Sequence, residues 1–196
     1  MERVVLLHGL GRTRCSMRRL ERALARAGFA THNIGYPSRS ARVPDLGRLV
    51  ARRIAESLAP AGSGDAVHLV GHSLGGILIR WLLVNDPPPR VGRIVLLAPP
   101  NGGSRLADFA LPFMSWLLRP LPDLTTDPGN IAHTLPTPAG FAIGIIAGSR
   151  DRTVTLPEAA LAAASETALV PAGHSFLMNL PAVQELTVRF LRTGRF

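Results

Sequence analysis

The stretch Val67-His68-Leu69-Val70-Gly71-His72-Ser73-Leu74-Gly75-Gly76 decides how the chain folds. A β-branched and aliphatic run breaks at a glycine, presents one serine, and resumes as the apolar segment Ile77 to Val84. The run has the pattern of a strand buried on both faces, and the segment after it that of a buried helix. Between them Gly71-His72-Ser73-Leu74-Gly75 fits G-x-S-x-G, a sharp strand-to-helix turn that lifts a serine hydroxyl above the sheet. The serine must take a strained backbone conformation there, and the flanking glycines let strand and helix pass close to it. The helix N-terminus behind it favours negative charge developing at that point. Alone the pentapeptide is a weak signal. Set between a strand and a helix, it makes Ser73 a candidate nucleophile.

Toward the N-terminus, Val4 to Leu7 is a continuous aliphatic run that ends in His8-Gly9-Leu10-Gly11, as a buried strand would. Met17, Leu20, Leu24 and Ala27 make the apolar stripe of a helix from about Ser16, and Gly28 suits its stop. Phe29 to Gly35 reads as a second strand, and Asp45 to Leu58 as a second helix. Pro60-Ala61-Gly62-Ser63-Gly64 reads as the loop into the serine strand. Toward the C-terminus, the helix after Ser73 must end near Asn85, because Pro87-Pro88-Pro89 cannot continue it. Strands follow at Arg93 to Leu97, Phe141 to Ala147 and Thr167 to Val170. Thr155 and Glu158 have the spacing of a capping box for a short helix, and Val183, Leu186, Phe190 and Leu191 space a closing one. Alternating strands and helices predict one α/β domain over residues 1–196, a mostly parallel central sheet of about six strands with helices on both faces. Residues of about 101–140 form a long excursion, irregular from about 122 onward, where Pro, Thr, Asp and Gly predominate.

Composition excludes several classes. With 46% hydrophobic and 18% charged residues the chain is globular, and its apolar runs fall far below the roughly 18 residues of a membrane span. The first apolar run is short, follows Glu2 and enters a glycine turn, so it reads as a strand and not a signal peptide. A cytoplasmic location is the expectation. Cys15 is the only cysteine, which rules out an intramolecular disulfide and agrees with a reducing compartment. The formal charge is +9, all of the basic residues being arginine. Such a surface attracts anions, but the arginines are dispersed over helix faces and no nucleic-acid-binding signature accompanies them. No nucleic-acid partner is expected. The six histidines show no metal-ligand spacing, so no metal and no cofactor is expected either.

With these elements in order, the chain resembles the α/β-hydrolase family, and within it the small bacterial lipases and esterases. His8-Gly9-Leu10-Gly11 is similar to the family's His-Gly oxyanion motif, and Ala98-Pro99-Pro100-Asn101-Gly102-Gly103-Ser104 to a Pro-x-x-Gly-Ser turn of many lipases. Gly148-Ser149-Arg150-Asp151 resembles the acid turn and Gly173-His174-Ser175 the histidine turn. The chain starts at what would be the family's third strand, so the resemblance implies a sheet without the first two. It also implies ester hydrolysis through an acyl-enzyme on Ser73, with His174 as base, Asp151 as orienting acid, and the backbone N–H groups of Leu10 and Leu74 as the oxyanion hole. Chain order agrees, since serine, acid and histidine each follow a strand. Asp123 and Asp127 are rival acids, disfavoured because a loose loop positions a carboxylate poorly. His72 and His8 are read as shaping their turns, His68 as a core residue, and His32 and His133 as without a visible partner. An acyltransferase or thioesterase on the same residues, or a non-catalytic binding protein of the same fold, are the alternatives.

Leu106 to Leu121 carries Phe109, Phe113, Met114 and Trp116, with Pro112 expected to confine any helix to short pieces. Two readings stand. The segment is a core-packing element, or it is the wall or partial lid of an acyl pocket, with Phe113 and Trp116 as substrate-binding residues. On the second reading the partners are a small ester or lipid and, transiently, a membrane surface.

Overall fold

The computed structural model describes residues 1–59, 65–136 and 140–196. The predicted loop 60–64 and part of the predicted excursion, 137–139, lie outside the described residues.

Strands β1 (Arg3–Leu7), β2 (Ala30–Ile34), β3 (Val67–His72), β4 (Val91–Leu97), β5 (Ile143–Gly148) and β6 (Glu166–Val170) form one sheet. Its order is β2-β1-β3-β4-β5-β6, and every pair is parallel. The six expected strands are these, with ends shifted by one to two residues. Because β2 lies on one side of β1 and β3 on the other, the winding reverses between β1 and β3. Open parallel sheets gather ligands at such a switch point, beyond the carboxyl ends of their strands.

Alternate residues of β1 enter separate cores. Val5 and Leu7 pack on one face with α2 (Val43–Leu58) and α3 (Leu74–Asn85). Val4 and Leu6 pack on the other with α1 (Arg18–Arg26) and α7 (Pro181–Thr193). α3 is buried from Leu74 to Leu83, which explains why its sequence is apolar all round and not amphipathic. The parallel sheet is thus covered on both faces, as its unbroken hydrophobic strands require.

Between β4 and β5 the chain makes α4 (Arg105–Met114), a 3₁₀ turn at Leu121–Leu124 and the short α5 (Ile131–Thr134). After β5 comes α6 (Leu156–Ala159), opened by the predicted capping box of Thr155 and Glu158. α4 corrects one expectation. Pro112 lies inside one continuous ten-residue helix and does not divide it. Its ring removes a single donor near the C-terminus, while tertiary contacts hold the rest. The Ser104 hydroxyl accepts the Ala107 N–H, and the Asp108 carboxylate accepts the N–H and hydroxyl of Thr126 at 2.8 and 2.6 Å. The segment is core on one side only: Ala107 and Leu121 are buried in the core, while Phe109, Phe113 and Trp116 are 74%, 68% and 72% exposed.

Candidate active site

Ser73 sits between β3 and α3 at φ 53° and ψ −121°, a conformation that non-glycine residues adopt only under constraint. The constraint is visible. Its N–H donates to Leu97 on β4 at 2.9 Å, and its carbonyl accepts the Gly76 N–H at 2.8 Å. A methyl group at position 75 would lie 2.4 Å from the Leu7 carbonyl oxygen, and one at 71 would lie 2.6 Å from the backbone of Gly75. Only glycine fits at either place, so strand and helix close tightly enough to force Ser73 outward.

Asp151 and His174 follow β5 and β6. The buried Asp151 carboxylate accepts His174 Nδ1–H through Oδ2 at 2.7 Å, while Oδ1 accepts the N–H groups of Thr153 and Val154 at 2.8 and 2.9 Å. Burial alone would raise its pKa. The hydrogen bond and charge of His174, with the two backbone donors, outweigh that and hold it below the ordinary carboxylate range. The bond to Nδ1 leaves Nε2 of His174 as the nitrogen able to exchange a proton. Among the rival acids, Asp123 is buried but taken by a bidentate pair with Arg42 and by the Val43 N–H, and Asp127 accepts from Gly129 in an exposed turn.

Ser73 and His174 line one cleft of about 340 Å³, together with Leu10 of the loop after β1. Leu74 opens α3, where the first N–H groups have no intrahelical acceptor, and its side chain is in the core. The apolar wall comes from Leu106, Ala110, Met114 and Leu118. Phe113 and Trp116, expected as substrate-binding residues, are not in this lining. They belong to the neighbouring stripe of the segment, which faces outward. Both stripes are apolar, so hydropathy gave no means of telling them apart.

His72 and His8 do more than shape their turns. His72 is buried with its Nε2 donating to the His174 carbonyl at 3.0 Å and its ring 4.9 Å from the His174 ring. Desolvation takes its pKa down to about 3, with the His174 charge adding to the effect, so it stays neutral. A methyl group at Gly9 would lie 2.9 Å from His72 Nδ1 and 3.2 Å from Ser73 Cβ, so the loop after β1 presses directly on the serine turn. His8 stacks on Tyr36 at 4.1 Å, and the Tyr36 hydroxyl donates to the His8 carbonyl. His68 is buried in the sheet, where Nδ1 accepts the Arg93 N–H at 2.8 Å, and His32 contacts the Ser57 hydroxyl at 2.6 Å. Among the described residues no group of three or more His, Cys, Asp or Glu side chains could hold a metal ion, and no helix is long and apolar enough to cross a membrane.

A sequence model of the alpha/beta hydrolase family matches residues 4–142, more than half of the chain. The chain belongs to that family. No curated protein matches it in sequence. Solved structures share its fold at low identity. The mature form of a Bacillus licheniformis lipase aligns with TM-score 0.76 and 18% identity, over 100% of this chain and 92% of that one. A metagenomic carboxyl esterase aligns with TM-score 0.75 and 18% identity, over 97% and 75%. A monoacylglycerol lipase of Paleococcus ferrophilus aligns with TM-score 0.67 and 18% identity, over 97% and 94%. The match runs from β1 to the residue before β5 and covers Ser73 and the loop after β1, while Asp151 and His174 lie beyond it and rest on their geometry.

Proposed function

We propose that this α/β hydrolase cleaves carboxylic esters through an acyl-enzyme on Ser73. The observation that carries the reading is the combination of a strained serine with a histidine in one apolar cleft, the histidine's far nitrogen bound to a buried carboxylate. In the first half-reaction Ser73 Oγ attacks the ester carbonyl and its proton passes to His174 Nε2. Asp151 holds the imidazole in the Nδ1–H tautomer and stabilises the imidazolium without taking the proton. The tetrahedral oxyanion accepts the N–H groups of Leu10 and Leu74, each such donor contributing roughly 3 kcal/mol to barrier lowering. Collapse expels the alcohol, which takes the proton from His174. Water then attacks the acyl carbon, gives a proton to His174, and releases the acid as Ser73 recovers its hydrogen.

The apolar wall supplied by α4 supports an acyl chain as the group held beside Ser73. The exposed aromatics of the same helix support transient contact with a lipid surface. A chain-length series of chromogenic esters, from acetate to decanoate, tests the reading on wild type and Ser73→Ala. Hydrolysis in the first and none in the second is the expected result. Hydrolysis unchanged in Ser73→Ala, or none in the wild type, would overturn it.

A further inference from the structure

Beside the cleft runs a second groove of about 500 Å³, between the turn after β2 and the segment after α4. Arg12 lines both cavities, and Arg39 and Arg119 line the groove. Among the described residues neither lining contains an Asp or Glu, and none of the three guanidinium groups pairs with a carboxylate. The acids that flank the segment are committed elsewhere, Asp108 to Thr126 and Asp123 to Arg42 and Val43. The Arg119 N–H donates to the Arg39 carbonyl at 3.0 Å and so joins the two walls of the groove directly.

Arg12 is held in position. Its N–H donates to the Gly9 carbonyl at 3.2 Å, its carbonyl accepts the Ser38 hydroxyl at 3.2 Å, and its guanidinium lies 5.5 Å from the Phe176 ring centre. Phe176 is two residues beyond His174, so the cation stands over the histidine turn. In the ester reaction that turn is where the leaving oxygen collects its proton. An alcohol half that leaves at that turn has Arg12 and the groove beside it, and an acyl chain has the α4 wall. Three guanidinium groups without a carboxylate partner make this groove attractive to an anion, and guanidinium groups bind phosphate through paired N–H donors.

Resting on the ester-hydrolase reading, we propose that Arg12, Arg39 and Arg119 bind a phosphate group on the alcohol half of the substrate. The substrate class is an acyl ester of a phosphorylated polyol.

The test compares 1-butyrylglycerol 3-phosphate with 1-monobutyrin, two monomeric esters that differ only in the phosphate. The expected kcat/KM ratio favours the phosphorylated ester by at least about tenfold at low ionic strength. It falls at least fivefold in Arg12→Gln and in the Arg39→Gln/Arg119→Gln double variant, and at least half of it survives in Arg12→Lys. Added salt lowers the ratio, because exposed charges are screened beyond about 8 Å at physiological ionic strength. As a ratio, the readout cancels any general loss of activity, and the exposed Arg39 and Arg119 can be replaced without disturbing a core. A wild-type ratio near one, or a ratio that survives all the Gln substitutions, would overturn the proposal. So would a ratio near one accompanied by activation on phosphatidylglycerol vesicles, since the arginines would then serve a bilayer. Monobutyrin hydrolysis that disappears in Ser73→Ala keeps the ester-hydrolase reading intact in each of those cases. Turnover of neither ester would overturn that reading and this one with it.

Discussion

Asp151 and Asp123 are both buried carboxylates, and their partners separate what they do. Asp151→Asn takes the charge from beside His174 and allows the amide to favour the wrong imidazole tautomer, so kcat should fall about 10³- to 10⁴-fold with the circular dichroism spectrum unchanged. Asp123→Asn instead loosens Arg42 and Val43, and should lower the unfolding midpoint while costing far less turnover. The reverse ranking in steady-state kinetics would move the acid to Asp123. Sequence reasoning favoured Asp151 because it ends a strand in a tight turn, which is the feature that aims its carboxylate. The bond from His72 to the His174 carbonyl was not legible, since it joins residues 102 positions apart and depends on how two turns meet above the sheet.

At the scale of elements, α4 is where sequence and structure part. Its apolar content was plain, but a helix buried on neither side and one buried on one side look alike when both stripes are apolar. The structure turns Ala110 into the cleft and Phe113 out of it. Ala110→Phe should fill the wall and cut kcat/KM for octanoate esters at least tenfold more than for acetate. Phe113→Asp should leave the octanoate-to-acetate ratio of monomeric esters within twofold of wild type. If Phe113→Asp shifted that ratio and Ala110→Phe did not, the two stripes would have to be exchanged. Arg80 was equally hidden. It lies buried in α3, pushed down to about 10 by desolvation, and donates to the carbonyls of Ala132 and Leu135 at 2.8 and 2.9 Å. A charged residue in an apolar helix pattern marks a need, but only the fold shows that it anchors the end of α5. Arg80→Met would leave those carbonyls without their donor, and should destabilise the chain by about 3 kcal/mol in urea unfolding.

For the molecule as a whole, the sheet was the most legible part, because parallel strands buried on both faces write themselves as unbroken aliphatic runs. The same burial predicts a loss of stability in acid. His8, His68 and His72 are lowered chiefly by desolvation, so below the ordinary value of 6.5 the unfolded chain binds protons that the folded chain refuses. Their contribution to stability is complete above 6.5 and is lost as pH falls, for His72 down to about 3. Asp151, also lowered, loses its contribution in the same direction, from its ordinary 3.8 downward. Urea midpoints should therefore decline steadily from pH 7 to pH 4, and a flat profile would contradict the burial of these rings. The proposed ester hydrolysis stands or falls with Ser73 as the nucleophile. The most direct measurement treats the protein with a fluorophosphonate and locates the adduct by peptide mass spectrometry. A single phosphonylated residue, Ser73, with ester hydrolysis lost in step with labelling, is the predicted result. An adduct on another residue, or full hydrolysis after Ser73 is modified, would contradict it.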